Sequence, residues 1–491
     1  MSIVEKSAVQ LRQLIRDKKL SPVELMDACI ARIEKTNPSV NAIAGTDFER
    51  ARDLAKLAET KLMDKRPLPL LHGLPLGVKD LQETSGLLTT YGNINYRNHV
   101  PTFDNSQVAK LKKAGAIVTA KTNTPDMGAG ANTRNAVWGA TGNPFNPTLN
   151  AGGSSGGSAA ALATDMLPIC TGSDTGGSLR IPSALCGVVG LRPTPGRVAD
   201  NTRALGWSVL NVLGPMGRNV EDTALLMAAC LGSDDDDPLS FDTPAEHYWP
   251  LPAIDLAKLR IGYTEDFDSC IVDQDIREVF RNRIEKIRPN VALCEPLSFD
   301  LSSASKTFDV LRAENFLAAF NHLDAEELKS LGENIRSNLE IAASISLKER
   351  ASAHLDQTRI MRQFNSVFNV YDLILTPTTP VSPFPWTQMY ADIVDGKKMR
   401  NYYHWAELTY LVTLATNPAL SIPCGKDKYG MPFGIQVIGK LREDHRLLGR
   451  AHALEQFFMH DTEMQRPRPD LTLLNSSNRE LKSIVTHPPI I

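Results

Sequence analysis

Apolar positions recur at helical spacing through the first part of the chain and then in short unbroken runs. Ser21-Pro22-Val23-Glu24 reads as a capping box with proline at the first helical position, and Val23, Leu25, Met26, Ile30 and Ile33 continue it as one apolar face. The pattern predicts a second helix over residues 48–62. From Leu74 the texture changes. LPLGV reads as a short buried strand, residues 104–114 as an amphipathic helix and residues 116–120 as another buried strand. Such alternation predicts a largely parallel sheet with helices on both faces.

Residues 142–194 are rich in glycine, serine and other small side chains yet flanked by apolar runs, which marks them as the functional centre. After Leu231 an acidic run, Asp234 to Asp237 followed by Pro238, predicts a solvated loop, and mixed helical text continues to about Phe368. Strand-like text resumes in LILTPTTP, ALSIPCG and PFGIQVIG, and a last helix is predicted over 445–458. No internal repeat is visible. The expectation is one large domain over 1–491, with a helical part at 1–70, a core at 71–230, a variable insertion at 231–370 and a returning part at 371–491.

Composition narrows the function classes. Among 491 residues, 53 Lys and Arg face 56 Asp and Glu for a net charge of -3, so no positive field invites nucleic acid or anionic lipid. Glycine (32) and proline (31) are near average, which excludes collagen-like and low-complexity chains. The seven cysteines are odd in number and form no C-x-x-C pair, so neither a disulfide framework nor a zinc knuckle is written. With charges scattered through the first residues and no stretch near 18 apolar residues, the reading is a protein of the cytoplasm with no membrane partner.

Three segments carry candidate chemistry. Gly152 to Ser158 lacks the lysine of a phosphate loop; it satisfies G-x-S-x-G, but the preceding NPFNPTLNAGG shows no strand pattern, as a nucleophile elbow requires. A flexible linker fits poorly too, because the buried small-residue run Ala159 to Ala163 follows directly. Gly172-Ser173-Asp174-Thr175-Gly176-Gly177-Ser178-Leu179-Arg180 follows the strand-like LPIC. Its consecutive small residues can turn backbone N–H groups into one concavity, either as an anion-binding turn or as an oxyanion site with a serine at its end. Lys79 lies at the end of the strand LPLGV; it reads either as an exposed cation or as a base with a depressed pKa. His72, His99 and His247 lie in loop text away from both serine motifs.

Taken in order, GVKD (77–80), KTNTPDMG (121–128), GGSSGGSAAA (152–161) and GSDTGGSLRIPSALCGVVGLRPT (172–194) resemble the amidase signature family. The resemblance implies an α/β fold with a mixed, mainly parallel central sheet sandwiched between helices. It implies Ser178 as nucleophile, Ser154 as the bridging serine in a cis peptide and Lys79 as the ultimate base. The N–H groups of Thr175, Gly176, Gly177 and Ser178 would hold the oxyanion, and Met127, Gly128 and Ser154 would meet the substrate. Ser155, Asp174 and Arg180 would support the site structurally, with neither metal nor cofactor.

Within that family the expectation is a free-standing amidase acting on a small-molecule amide, aliphatic or aryl, or on a carbamate, with room for a homodimer. The alternative is the A subunit of a glutamine-dependent aminoacyl-tRNA amidotransferase, which works with partner chains. Where that subunit carries a Ser-Thr-Glu-Asn stretch, this chain has GAGANTRNAVWG (128–139), and it adds Trp386, Met389, Tyr390, Tyr402, Tyr403, Trp405 and Tyr410 near its end. Such clusters serve as core or as pocket wall, and in a wall they favour an apolar or aromatic group over glutamine. Because a serine mechanism needs no Lewis acid, amide hydrolysis is expected to survive exhaustive chelation. Activity lost to chelator and restored by a divalent ion would overturn this.

Overall fold

Eleven strands drawn from residues 43–438 form one continuous sheet in the computed structural model, which describes residues 2–64 and 67–490. In chain order they are β1 (Ile43–Thr46), β2 (Pro75–Lys79), β3 (Ile117–Thr122), β4 (Ile169–Asp174), β5 (Val189–Arg192) and β6 (Val212–Gly217). They continue as β7 (Arg260–Tyr263), β8 (Leu293–Pro296), β9 (Leu373–Pro377), β10 (Ala419–Lys426) and β11 (Pro432–Ile438). Across the sheet the order is β1-β3-β2-β4-β6-β5-β10-β11-β9-β7-β8. Residues 231–370 thus supply β7 and β8 at one edge, besides the helices Gln274–Ile287, Ala304–Phe320, Glu333–Ser344 and Leu347–Val367.

The sheet is mixed and flanked by helices, but its parallel part is smaller than the strand and helix alternation predicts. Parallel pairing is confined to β3-β2-β4 at one side and β9-β7-β8 at the other. The six remaining neighbour pairs are antiparallel. The connections explain it. A parallel crossover needs a dozen or more residues, usually with a helix; β10 and β11 are joined by a short turn around Tyr429 and Gly430, and no helix lies between β5 and β6. β6 is therefore inserted antiparallel between β4 and β5.

Local signals place the elements well. Ser21 caps the helix Pro22–Val40, its Oγ accepting from Val23 N at 2.9 Å while Glu24 accepts from Ser21 N at 3.0 Å. The second predicted helix is Phe48–Leu62, and the last runs Asp444–Met459. The helix Gly156–Ala163 is buried along its whole length. Its small residues are a packing requirement: a Cβ at Gly157 would lie 2.2 Å from Asn123 N and 2.5 Å from Ala42 O, backbone atoms that cannot give way.

Two loop readings need correction. The text NPFNPTLNAGG (143–153) shows no strand pattern, yet Gly142–Asn143 and Asn146–Asn150 pair as a small separate ribbon, pinned by side-chain bonds such as Asn143 Nδ2 to Leu185 O at 2.8 Å. The acidic run is solvated only in its middle. Asp235 and Asp236 are exposed, whereas Asp237 is buried and accepts from Asp200 N at 2.9 Å and Leu239 N at 3.0 Å. A run of like charges reads as solvated as a whole, and the turn it forms sorts its members one by one. All seven cysteines are free and buried, and no helix among the described residues is long and apolar enough to cross a membrane.

Candidate active site

The carboxyl ends of the parallel trio β3-β2-β4 meet on one side of the sheet, where α/β sheets commonly bind ligands. Lys79 ends β2 and is fully buried. Its Nζ donates to Ser154 Oγ at 2.6 Å and to Ser173 Oγ at 3.0 Å, and its backbone N–H donates to Thr171 Oγ1 at 3.0 Å. Burial drives the Lys79 pKa down to about 7 against the upward pull of the Asp174 charge. Its neighbour Asp80 faces elsewhere. That carboxyl accepts from Thr90 Oγ1 at 2.6 Å, Thr90 N at 3.1 Å and Trp138 Nε1 at 3.3 Å, and burial pushes its pKa up to about 6. Strand alternation explains why the two side chains do not pair.

Ser154 stands at the entry to the helix Gly156–Ala163, and the Gly153–Ser154 peptide is cis. Ser155, next in the chain, ties both serine motifs to β4. Its N–H donates to Ser178 O at 3.2 Å and its Oγ accepts from Ser173 N at 3.4 Å. Ser178 and Ser154 open on the same cavity, of about 300 Å³, together with Met127, Gly128, Thr175 and Gly176. No hydrogen bond joins the Ser154 and Ser178 hydroxyls among the described residues.

The turn between β4 and the helix Arg180–Cys186 is organised by Asp174. Its Oδ1 accepts from Gly177 N at 2.9 Å and its Oδ2 from Leu179 N at 3.1 Å. Arg180 clasps both oxygens, Nη2 at 2.8 Å and Nε at 3.0 Å, and Arg192 Nη1 reaches Oδ1 at 3.2 Å. Burial alone would raise the Asp174 pKa; the Arg180 charge and hydrogen bond, with Arg192, hold it far below the usual carboxylate range.

Asp174 also corrects the expected oxyanion set. The Gly177 N–H is taken by its carboxylate, and Gly177 does not line the cavity. Thr175, Gly176 and Ser178 do line it, and their N–H groups donate to no acceptor among the described residues. Gly177 has a different role. At φ +128° it adopts a conformation that favours glycine, and a Cβ there would lie 2.3 Å from Thr409 Oγ1.

Of the aromatic residues marked near the chain end, Tyr402, Tyr403 and Tyr410 line the cavity. Trp386 and Trp405 are core, and Met389 borders a separate cavity. Phe308, Phe316 and Phe320, with the charged Arg312 among them, all on the helix Ala304–Phe320, complete the wall. Sequence reasoning missed them, since their spacing reads only as an amphipathic helix. It missed Ser173 as the second partner of Lys79, although that residue lies within the glycine-rich turn. It also missed Lys121, a second buried lysine whose Nζ donates to Gln82 O, Thr84 Oγ1 (3.1 Å) and Thr89 Oγ1 (3.0 Å) and whose pKa burial lowers to about 8. Among the described residues no three His, Cys, Asp or Glu side chains converge as metal ligands.

The fold and the four motifs define an enzyme of carbon–nitrogen bond chemistry, hydrolase or amidotransferase. Residues 24–448 match the family model described as Amidase, and the chain belongs to this amidase signature family. A curated relative, the A subunit of the glutamyl-tRNA(Gln) amidotransferase of Lachnospira eligens, is 32% identical over 93% of this chain and 99% of its own. Among solved structures, a bacterial aryl acylamidase of the amidase signature enzymes superposes with a TM-score of 0.85 at 27% identity, covering 92% of this chain and 96% of that one. The A subunit of the glutamyl-tRNA(Gln) amidotransferase of Thermotoga maritima gives 0.76 at 26% identity, covering 96% and 98%.

The lysine has a thermodynamic signature. Exposed in the unfolded chain, Lys79 holds its proton to about 10.4; in the folded protein it gives it up near pH 7. Between those values the unfolded state binds the extra proton, so the contribution of Lys79 to stability rises with pH across that window and is least favourable at and below pH 7. Lys79→Met is expected to raise the thermal midpoint at pH 7 by an amount that shrinks as pH approaches 10. Equal shifts at both pH values would show that Lys79 is charged in the folded state.

Proposed function

We infer that the protein cleaves a small amide through an acyl-enzyme on Ser178. The observation that carries this reading is the buried contact of 2.6 Å between Lys79 Nζ and Ser154 Oγ, opening on the cavity that Ser178 lines. A neutral amine can take a proton and an ammonium cannot, and the pKa near 7 leaves Lys79 largely neutral in mild alkali. Ser178 Oγ attacks the carbonyl carbon. Its proton passes to Ser154 as Ser154 passes its own to Lys79, and the carbonyl oxygen gathers charge against the free N–H groups of Thr175, Gly176 and Ser178. As the C–N bond breaks, the proton returns along the same path to the leaving nitrogen. Water then repeats the cycle and releases the acid. Ser155, Asp174 and Arg180 act through geometry: they hold the turn and the serine motif against β4.

The aromatic wall favours an amide with an apolar or aromatic acyl group, and the aryl acylamidase superposition supports a free-standing hydrolase. A second reading, the A subunit of a glutamine-dependent amidotransferase with partner chains, is favoured by the curated relatives, whose names point to it more directly than to a free hydrolase. Purified alone and offered anilides, primary amides, carbamates and glutamine, the chain is expected to run at a defined homomeric size and to release amine from the apolar amides. Ammonia released from glutamine only once partner subunits are added would assign it to the second reading.

The chemistry itself is tested by pH. kcat/KM for the best amide is expected to rise through an acid limb near pH 7 as Lys79 loses its proton and to level above it. Ser178→Ala should fall by about 10³-fold or more, and Lys79→Ala should lose both rate and limb. A lysine variant that keeps both removes Lys79 from the mechanism.

A further inference from the structure

Arg312 is the part of the cavity wall that a purely apolar amide leaves without purpose. It lies one helical turn after Phe308, and the Phe308 ring reaches the oxyanion turn: a Cβ at Gly176 would be 3.1 Å from Phe308 Cζ. Side chains on a helix lean toward its N-terminus, so the guanidinium is carried back along the cavity wall toward that turn. Four rings surround it, with centroids 4.7 Å (Phe316), 5.0 Å (Tyr403), 5.5 Å (Tyr402) and 5.9 Å (Phe308) from its central carbon.

The cage leaves the charge without an anion. Arg312 is only 7% exposed, and its one hydrogen bond among the described residues is Nη2 to Tyr402 Oη at 2.6 Å. Its Nε is buried without a partner, and no carboxylate of the described residues lies within 4 Å. The nearby acids are engaged elsewhere. Asp309 accepts from Arg400 Nη1 and Tyr403 Oη, each at 2.8 Å, while Asp200, on the cavity wall, faces Arg203. Ring faces attract a cation but offer no in-plane acceptor for a guanidinium, which carries five N–H donors, and charges taken out of water are normally paired. Tyr402 Oη receives a second bond, from Asn338 Nδ2 at 2.7 Å, and donates to no acceptor among the described residues, so its own proton is free.

We propose that the substrate carries a carboxylate on its acyl side, held by Arg312 and the Tyr402 hydroxyl in the wall of the cavity that Ser178 lines. The substrate class is then an amide whose apolar or aromatic spacer ends in an acid. Planar fork-to-carboxylate pairing suits arginine, and the rings exclude the water that would weaken it. The inference deepens the amide-cleaving reading and rests on it only for which bond is broken; recognition itself is measured by binding.

Calorimetric titration of the Ser178→Ala protein compares 4-carbamoylbenzoate with terephthalamide, which replaces the carboxylate by a neutral group of the same shape. The acid is expected to bind about 10-fold tighter or more. That preference should collapse toward one when Arg312→Met is added and be partly kept by Arg312→Lys. Equal or weaker binding of the acid in the protein that retains Arg312 overturns the proposal without recourse to any variant there; so does a preference that survives Arg312→Met, or no binding of either compound at millimolar concentration. Turnover by the wild type separates the two readings. Acid preference in binding with no ammonia released from either compound removes Ser178 chemistry and leaves the anion site, whereas release from terephthalamide without acid preference does the reverse.

Discussion

The buried carboxylate of Asp174 is the interaction on which the site depends. It pairs with both Arg180 and Arg192 in the interior, where a guanidinium without any anion would be strongly unfavourable, and in the same place takes the N–H groups of Gly177 and Leu179. Those bonds shape the turn that leaves β4. They decide which N–H groups are spent on structure and which stay open to the cavity. Arg180 extends the same network to Thr409 O, Thr413 Oγ1 and Gln436 Oε1, so the turn is anchored to the helix Glu407–Ala415 and to β11, elements far away in the chain. Breaking a pair of this kind by removing one partner typically costs about 3–5 kcal/mol.

Lys79 is held in the opposite manner. Its contacts are hydroxyls, which accept a hydrogen bond from an amine but supply no charge to keep it protonated. The buried cationic groups gathered around the ends of the neighbouring strands β2 and β4 are therefore set to different states by their partners: carboxylate for the arginines, serine for the lysine. Lys121 is a second such case. It too is surrounded by hydroxyls and a carbonyl, and burial lowers its pKa against the upward pull of the Asp80 charge, as Asp174 pulls on Lys79.

Much of this is legible from local chemistry. The capping box at Ser21, the period of the first helices, the apolar strand ahead of Lys79 and the small-residue helix after Ser155 each follow from short-range rules. The triad candidates come with the family resemblance, since no spacing rule brings residues 79, 154 and 178 together. What stays hidden depends on distant pairing. The direction of β5, β6, β10 and β11 is set by their connections and by which edges remain free. The commitment of the Gly177 N–H is visible only once the Asp174 side chain has folded back on its own turn. The wall at Phe308, Arg312 and Phe316 has no signal beyond helical amphipathicity, because a ring that faces a cavity and a ring that faces a core obey the same period.

The cavity is assembled from stretches of chain that do not overlap: 81–181, 200–213, 308–320 and 402–410. The Lys79, Ser154 and Ser178 side lies within residues 79–178, whereas the aromatic wall comes from 308–320 and 402–410, and the two are joined by the Thr409 Oγ1 bond to Gly176 O at 2.6 Å. The rings of the later stretches make no hydrogen bond to Lys79, Ser154 or Ser178 among the described residues, so the wall they form can change in shape without disturbing the buried Lys79–Ser154 contact.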